Sequence, residues 1–444
     1  MSTEMSVQLL PGSSGLPVLG DTLPIISDAV GYTRRQVRHY GPAFRMRFLG
    51  RDAVVLVGAD AQRRVLGASP SDTQFSSYGG YSYLLPFIGG GSLLTLDGAE
   101  HAIQRKLVTP AFHSRHFGDY MERIERIVTA VSSTWEPGRS RVFYADAREM
   151  TFRMASSLVL GLEVGPRYHR LSHEWSLLFR GITDPLQKNL PFTPYGRAMA
   201  VKPAVDAFLE KLIAEHRQTP RADLLSLILE ARHEDGSALS EMELLDHARL
   251  LLFAAFDTTA STMTWTLLEV LRHPDVLARL EAELDEVIGT QAALTPVELP
   301  CLGRLEATIK ETLRLHPATP FLARGLTEPL DFGGYRIPAG WLVLVMHAFT
   351  QRMPEYFQAP EDFDPARFLP PREEDKRSPY AWVGFGAGAH TCLGMGIALM
   401  ELKTTLAYLL RHYRIALVAG QDTRTVHLPI NRPKSGVLIT VQPR

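Results

Sequence analysis

Phe385 to Gly394 reads FGAGAHTCLG, a stretch that sets three glycines around one histidine and one cysteine just ahead of a helical-looking run. Glycines on both sides of Cys392 let the backbone come close to a flat ligand, and N–H groups in such a loop can point at the sulfur and stabilise a thiolate. A thiolate in that setting is a metal ligand. Zinc asks for several Cys or His ligands at short spacing, and only His390 is near. A haem iron needs a single protein ligand on its proximal side. The competing reading is a small core cysteine beside a helix start.

Three further groups could carry chemistry. Glu311 and Arg314, in ETLR, lie three apart on one helical face, an arrangement also found in surface ion pairs worth about 0.2–0.5 kcal/mol. Asp257 and Thr258 sit inside the apolar LLLFAAFDTTAS, where an unpaired carboxylate is expensive. The plainer alternative there is a threonine bonding back to a carbonyl and an aspartate on the solvent side. His101 and Arg105, in HAIQRK, lie four apart on one helical face, which by itself describes ordinary surface residues.

The elements that must position these groups follow from pattern. The opening LLPGSSGLPVLGDTLP is dense in Pro and Gly and predicts an extended lead-in over about residues 1–22. Residues 43–58 alternate around a central GRD, a hairpin signal. From about 98 to 316 the pattern is mostly helical, with turns at EPGRS and LPFTPYG. The clearest helix starts at Ser240, with Glu243 as capping-box partner, and runs to His273 ahead of Pro274, roughly 50 Å at the usual rise per residue. Its middle is apolar on nearly all sides, so it should be buried. Helices over 274–288 and about 302–315 follow. LDFGGYRIPAGWLVLVM and SGVLITVQ return to strand composition. The expectation is a mainly α chain with a minor β part, one domain over 1–444.

Composition excludes several classes of function. The chain has 444 residues, and 47 Lys+Arg stand against 48 Asp+Glu with no long run of one sign, which argues against a nucleic-acid partner. No Lys or Arg precedes Arg34, and no apolar run reaches the roughly 18 residues of a membrane span. The reading is a cytoplasmic protein without a membrane anchor, in which Cys301 and Cys392 stay unpaired.

The pattern Phe385-x-x-Gly388-x-His390-x-Cys392-x-Gly394, with AAFDTT, ETLR and FDPARF (Pro365, Arg367, Phe368) in that order before it, resembles the cytochrome P450 family over about residues 10–442. The resemblance implies that family's fold, with a long central helix crossing over the haem. It implies haem b (iron protoporphyrin IX) bound through the Cys392 thiolate in a loop that includes Phe385, Gly386, His390 and Gly394. His101, Arg105, Arg324 and His390 would hold the propionates, with histidine at 390 where many relatives have arginine, hence hydrogen bonding rather than full ion pairing. Glu311, Arg314 and Arg367 would form a buried network bracing the cysteine loop. Asp257 and Thr258 would guide protons during oxygen activation. Ala255 stands where the family usually has glycine, so a smaller helix kink is expected.

The implied activity is a monooxygenase that hydroxylates or epoxidises an apolar, medium-sized substrate of secondary-metabolite, terpenoid or lipid-like type. The distal pocket would come from residues 78–91, 318–323 and 428–433, with Tyr83, Leu85, Phe87, Phe253, Phe256 and Phe321 as lining candidates. No GxGxxG follows a strand and two cysteines cannot hold an iron–sulfur cluster, so a separate ferredoxin or flavodoxin with its reductase is expected. A peroxide-dependent or non-oxidative haem-thiolate enzyme, and a non-enzymatic apolar-ligand or haem-sensor protein, are the alternatives.

Overall fold

The computed structural model describes residues 10–13, 15–16, 20–69, 71–182, 184, 187–289, 293–427 and 430–444. Two strands, β1 (Ala43–Phe48) and β2 (Arg51–Leu56), pair antiparallel with Phe48 opposite Arg51. The turn is therefore Leu49-Gly50 and not the expected GRD; both turn residues have positive φ, 49° and 77°, the primed geometry that matches strand twist. Arg51 and Asp52 already belong to the strand. With β3 (Phe75–Ser76), β4 (Leu322–Leu326) and β5 (Leu342–Val345) the hairpin forms a sheet in the order β1-β2-β5-β4-β3. The β2/β5 pair is parallel, and Val54, Val55, Leu56, Val343, Leu344 and Val345 are all fully buried, as strands covered on both faces require.

The lead-in lies along the free edge of β1. Arg45 donates its N–H to the Pro11 carbonyl at 2.7 Å and accepts from Ser13 N at 3.1 Å; Arg47 accepts from Asp21 N at 2.8 Å and donates to Asp21 Oδ2 at 3.3 Å; Leu49 N donates to Thr22 Oγ1 at 2.8 Å. Residues 1–9, 14 and 17–19 of the expected lead-in lie outside the described residues, as do Leu428 and Pro429 of the third expected pocket stretch.

The helices that matter for the site are α1 (Gly98–Val108), α2 (Phe143–Leu160), α3 (Pro166–Ile182), α4 (Pro194–Gln218), α5 (Glu241–Ala255), α6 (Asp257–Arg272), α7 (Pro274–Val287), α8 (Gly303–Leu315) and α9 (Met395–His412). The helices at 274–288 and 302–315 stand within a residue of expectation. Ser240 accepts from Glu243 N at 3.3 Å while the Glu243 carboxylate takes Ser240 N at 2.7 Å, the capping box. The long helix, however, is two. It is interrupted at Phe256 (φ −95°, ψ −52°) between α5 and α6. The hydroxyls of Thr258 and Thr259 bond back to the carbonyls of Ala254 (2.7 Å) and Ala255 (2.9 Å), and such back-bonding bends helices. A break thus occurs at Phe256 with alanine, not glycine, at 255. The strand Leu438–Pro443 pairs with Tyr413–Leu417 and Arg141–Val142, and Leu330–Phe332 with Tyr335–Ile337, so both strand-like segments form sheet. No helix among the described residues is long and apolar enough to cross a membrane.

Candidate active site

The cysteine loop is held by its own backbone. Cys392 N donates to the Phe385 carbonyl at 2.8 Å, Gly386 N to Val383 O at 2.9 Å, and Thr391 N and Oγ1 to Gly388 O at 3.1 and 2.8 Å. Gly386 (φ 73°) and Gly388 (φ 67°) occupy the left-handed region, and a Cβ on Gly388 would collide with the Leu66 carbonyl, so glycine is required there on two counts. Helix α9 begins three residues beyond the sulfur. Cys392 is exposed, yet burial of its sulfur pushes the thiol above the ordinary value, against the pull of the Gly394 N–H and the Arg105 charge. Both facts hold for a sulfur that faces an interior cleft. Among the described residues no group of three or more His, Cys, Asp or Glu is placed to hold a metal ion.

Around that sulfur four basic side chains gather. His101 on α1 is buried and its ring stacks on His390, centroids 3.9 Å apart. His390 Nε2 lies 3.2 Å from Ser77 Oγ. Arg105 follows one turn after His101, and among the described residues the side chain of Arg324, buried on β4, donates to the neighbouring Ala323 carbonyl at 2.8 Å and to no carboxylate. Burial, then the Arg324 guanidinium ahead of the neighbouring His101 and Arg105, pushes His390 down to about 2; burial, then Arg105 and Arg324, against the opposing pull of Asp97, pushes His101 down to about 4. Both rings are therefore neutral beside two guanidiniums, and among the described residues no carboxylate forms an ion pair with any of the four. Unmatched cationic donors next to a cleft suit an anionic ligand. A flat group with two carboxylates and an iron for the thiolate, a haem, fits this donor set.

Behind the loop, Glu311, Arg314 and Arg367 are completely buried and joined. Glu311 takes Arg314 Nε at 2.7 Å and Nη2 at 2.9 Å, Arg367 Nε at 3.0 Å and Asp364 N at 2.8 Å. Arg367 also reaches Glu374 at 2.8 Å. Gln351 connects this network to the loop: its Nε2 donates to the carbonyls of Leu313 and Arg314 at 3.1 and 3.2 Å, and its Oε1 accepts from Val383 N at 2.9 Å. Spacing along the chain gives no sign of Gln351 or Glu374, because neither belongs to a local motif. Gln351→Leu is expected to leave a buried N–H and two carbonyls short of partners, at about 1–3 kcal/mol, and to speed haem loss to apomyoglobin; a loss rate equal to the parent's would show that the link carries no load.

On the α5–α6 pair, Ala254 is exposed and Thr258 half-buried. Asp257 is 2% exposed and turned toward α2, where its Oδ1 accepts from Tyr144 Oη and Arg148 Nε, each at 2.8 Å. Neither partner is marked by sequence spacing, and the solvent-facing aspartate considered above is not what is found. Burial, then the Asp257 charge, raises the Tyr144 phenol above its usual value. Helix α6 also packs on α9, where burial pushes Glu401 up to about 8 against the hydrogen bond from Thr259.

The pocket candidates divide. Phe256 is buried between Phe152 (5.4 Å) and Phe179 (5.3 Å), and Phe87 is buried edge-on to Tyr195 (5.8 Å), so both spend their surface on protein. Tyr83, Leu85, Phe253 and Phe321 are half-buried, with Phe253 5.8 Å from Phe179 and Phe321 5.3 Å from Phe48.

Comparison with known proteins agrees with this geometry. The model of the cytochrome P450 family matches residues 10–441. Putative cytochrome P450 120 of Synechocystis sp. is 30% identical over 436 residues, covering 98% of this chain and 97% of that protein. Putative cytochrome P450 137 of Mycobacterium tuberculosis is 32% identical over 422 residues, covering 92% and 85%. The structure of retinoic acid bound cyanobacterial CYP120A1 superposes with a TM-score of 0.90 at 29% identity, covering 99% of this chain and 100% of that one. The chain belongs to the cytochrome P450 family of haem-thiolate monooxygenases.

Proposed function

We propose that Cys392 gives its thiolate to the iron of haem b, with Arg105, Arg324, His101 and His390 on the propionates, and that the protein inserts one oxygen atom into an apolar, medium-sized substrate. The observation that carries this reading is the set of two guanidiniums and two neutral imidazoles, among the described residues without an ion-paired carboxylate, close to the exposed Cys392 thiol. The haem, when bound, supplies dioxygen activation, which electron release from a thiolate ligand favours.

The chain's own residues supply the rest. Glycines 386 and 388 let the loop approach the macrocycle, and the Glu311–Arg314–Arg367 network holds that loop in place through Gln351. Asp257 is the proton donor, its carboxylate aimed by Tyr144 and Arg148; Arg148, 38% exposed, connects it to solvent. The Thr258 hydroxyl, half-buried at the cleft, passes the proton inward. A buried, oriented acid supports dioxygen over peroxide as oxidant. Leu85, Tyr83, Phe253 and Phe321 exclude water and favour an apolar substrate; the retinoic acid carried by the cyanobacterial relative supports a terpenoid-sized one. The electrons come from a separate ferredoxin or flavodoxin with its reductase, in the cytoplasm, and residues 1–444 act as one domain.

The test is the absorption spectrum of the dithionite-reduced protein under carbon monoxide, beside Cys392→His. A strongly red-shifted Soret band that is lost in the variant is expected. A band unchanged in the variant would mean that Cys392 is not the ligand.

A further inference from the structure

Two proline-rich segments, HPATP (316–320) and LPINRP (428–433), run through two of the stretches expected to wall the pocket. Proline has no N–H to give to a ladder, so the two cannot zip together as strands. One asparagine supplies what the prolines lack. Asn431, 3% exposed, donates its Nδ2 to the Pro317 carbonyl at 2.5 Å and its backbone N–H to the Ala318 carbonyl at 2.9 Å. With Nδ2 on a carbonyl, Oδ1 is left to accept from His427 Nδ1 at 2.6 Å. The Asn431 carbonyl accepts from the hydroxyl of Ser261, which is fully buried. All four polar groups of Asn431 are thus used, each on a different residue.

Ser261 lies on α6, about one turn after Asp257 and Thr258. The first segment reaches the same helix on its own: the His316 ring stacks on Trp265, centroids 3.9 Å apart, and its Nε2 lies 3.0 Å from Glu269 Oε1. Farther on, the Pro320 carbonyl accepts from Ala348 N at 3.2 Å before the chain enters β4. Residues 316–320 are therefore fixed at both ends. The second segment pairs through Arg432 and Pro433 with the two-residue strand Thr425–Val426. Among the described residues it is Asn431 that hydrogen-bonds this segment to 317–318 and to α6.

We propose that Asn431 is a positioning residue that sets which apolar substrates fit: its four hydrogen bonds fix residues 317–318 and 430–433 against each other and against α6, and so fix the width of the chamber beside that helix. A buried amide suits this role. Its donor and acceptor belong to one planar group, so both partners are held at a set separation, and losing either bond leaves buried polar atoms unpaired and lets the segments part. Walls held in this way bind an apolar ligand better, because less has to be ordered when it arrives. The inference rests on the reading of residues 318–323 and 428–433 as walls of the substrate chamber.

The test uses haem-loaded parent, Asn431→Ala, Asn431→Asp and Ser261→Ala proteins, titrated at the Soret band with two iron-binding probes, imidazole and 4-phenylimidazole. Imidazole touches little beyond the iron, whereas the phenyl ring of the larger probe must lie against the walls. Asn431→Ala should weaken 4-phenylimidazole about tenfold and leave the imidazole dissociation constant within about twofold of the parent's. Asn431→Asp keeps the acceptor for His427 and loses the donor to Pro317, so it should behave like the alanine variant. Ser261→Ala frees only the tie to α6; it should shift the ratio of the two constants in the same direction by a smaller factor, and it carries the test if the Asn431 variants do not hold haem. That ratio is the readout, since a protein that is merely less stable binds both probes to its folded fraction alike. A parent-like ratio in Ser261→Ala, or in either Asn431 variant, would overturn the assignment. A parent protein with no Soret response to imidazole would instead fail the haem reading, and one that does not favour the phenyl probe would fail the reading of the walls.

Discussion

Arg314→Ala is expected to purify without haem. Arg314 is fully buried and donates to both oxygens of Glu311 and to the carbonyls of Gln351 (2.9 Å), Pro360 (2.6 Å) and Asp362 (3.1 Å). Removing one member of a buried ion network costs about 3–5 kcal/mol, because the charge left behind has no water to turn to. That is a large share of the roughly 5–15 kcal/mol by which a domain is stable. The loss falls where it matters for the cofactor, since Gln351 accepts from Arg314 on its carbonyl and holds Val383, nine residues before the sulfur, on its side chain. Arg314→Lys keeps the charge but not the planar fork, so it should retain only part of the haem. The ratio of Soret to protein absorbance measures both, and a full complement in Arg314→Ala would refute the bracing role.

Asp257→Asn should lower the turnover number about 10²–10⁴-fold, the range over which a positioned acid contributes. The amide oxygen can still accept from Tyr144 and Arg148, so the fold and substrate affinity should change little. What disappears is a group able to give up a proton and regain one through the half-exposed Arg148 side. Electrons that no longer lead to product should leave as hydrogen peroxide. Product and peroxide formed per NADPH consumed, with a surrogate ferredoxin and reductase, are the measurement; parent-like turnover and coupling in Asp257→Asn would remove Asp257 from the proton path.

What the sequence made legible was local. The cysteine loop is a run of ten residues in which Gly386 and Gly388 are dictated by φ, and Gly388 also by the nearness of Leu66, and ETLR and FDPARF place three charges whose burial makes them pair. The capping box and the proline after His273 gave both ends of the long helical stretch. Its break at Phe256 was hidden because two threonine hydroxyls, and no glycine, divert the carbonyls. Tyr144 and Arg148 could not be read either: they stand 113 and 109 residues from Asp257, and only packing of α2 on α6 brings them together. The packing of Phe256 between Phe152 and Phe179 could not be read for the same reason, since both partners lie far away in the chain.

A sheet edge invites other chains to add to it, and an alternating strand such as β1 would be a good template. Here the lead-in has already used the rungs: the outward N–H and C=O of Arg45 and Arg47, and the N–H of Leu49, are all engaged by residues 11–22. The segment that looks least structured in the sequence is therefore a guard against self-association. Its removal by a protease, or its displacement by a bulky fusion, would be felt first as precipitation at high protein concentration, with the chemistry at Cys392 still intact.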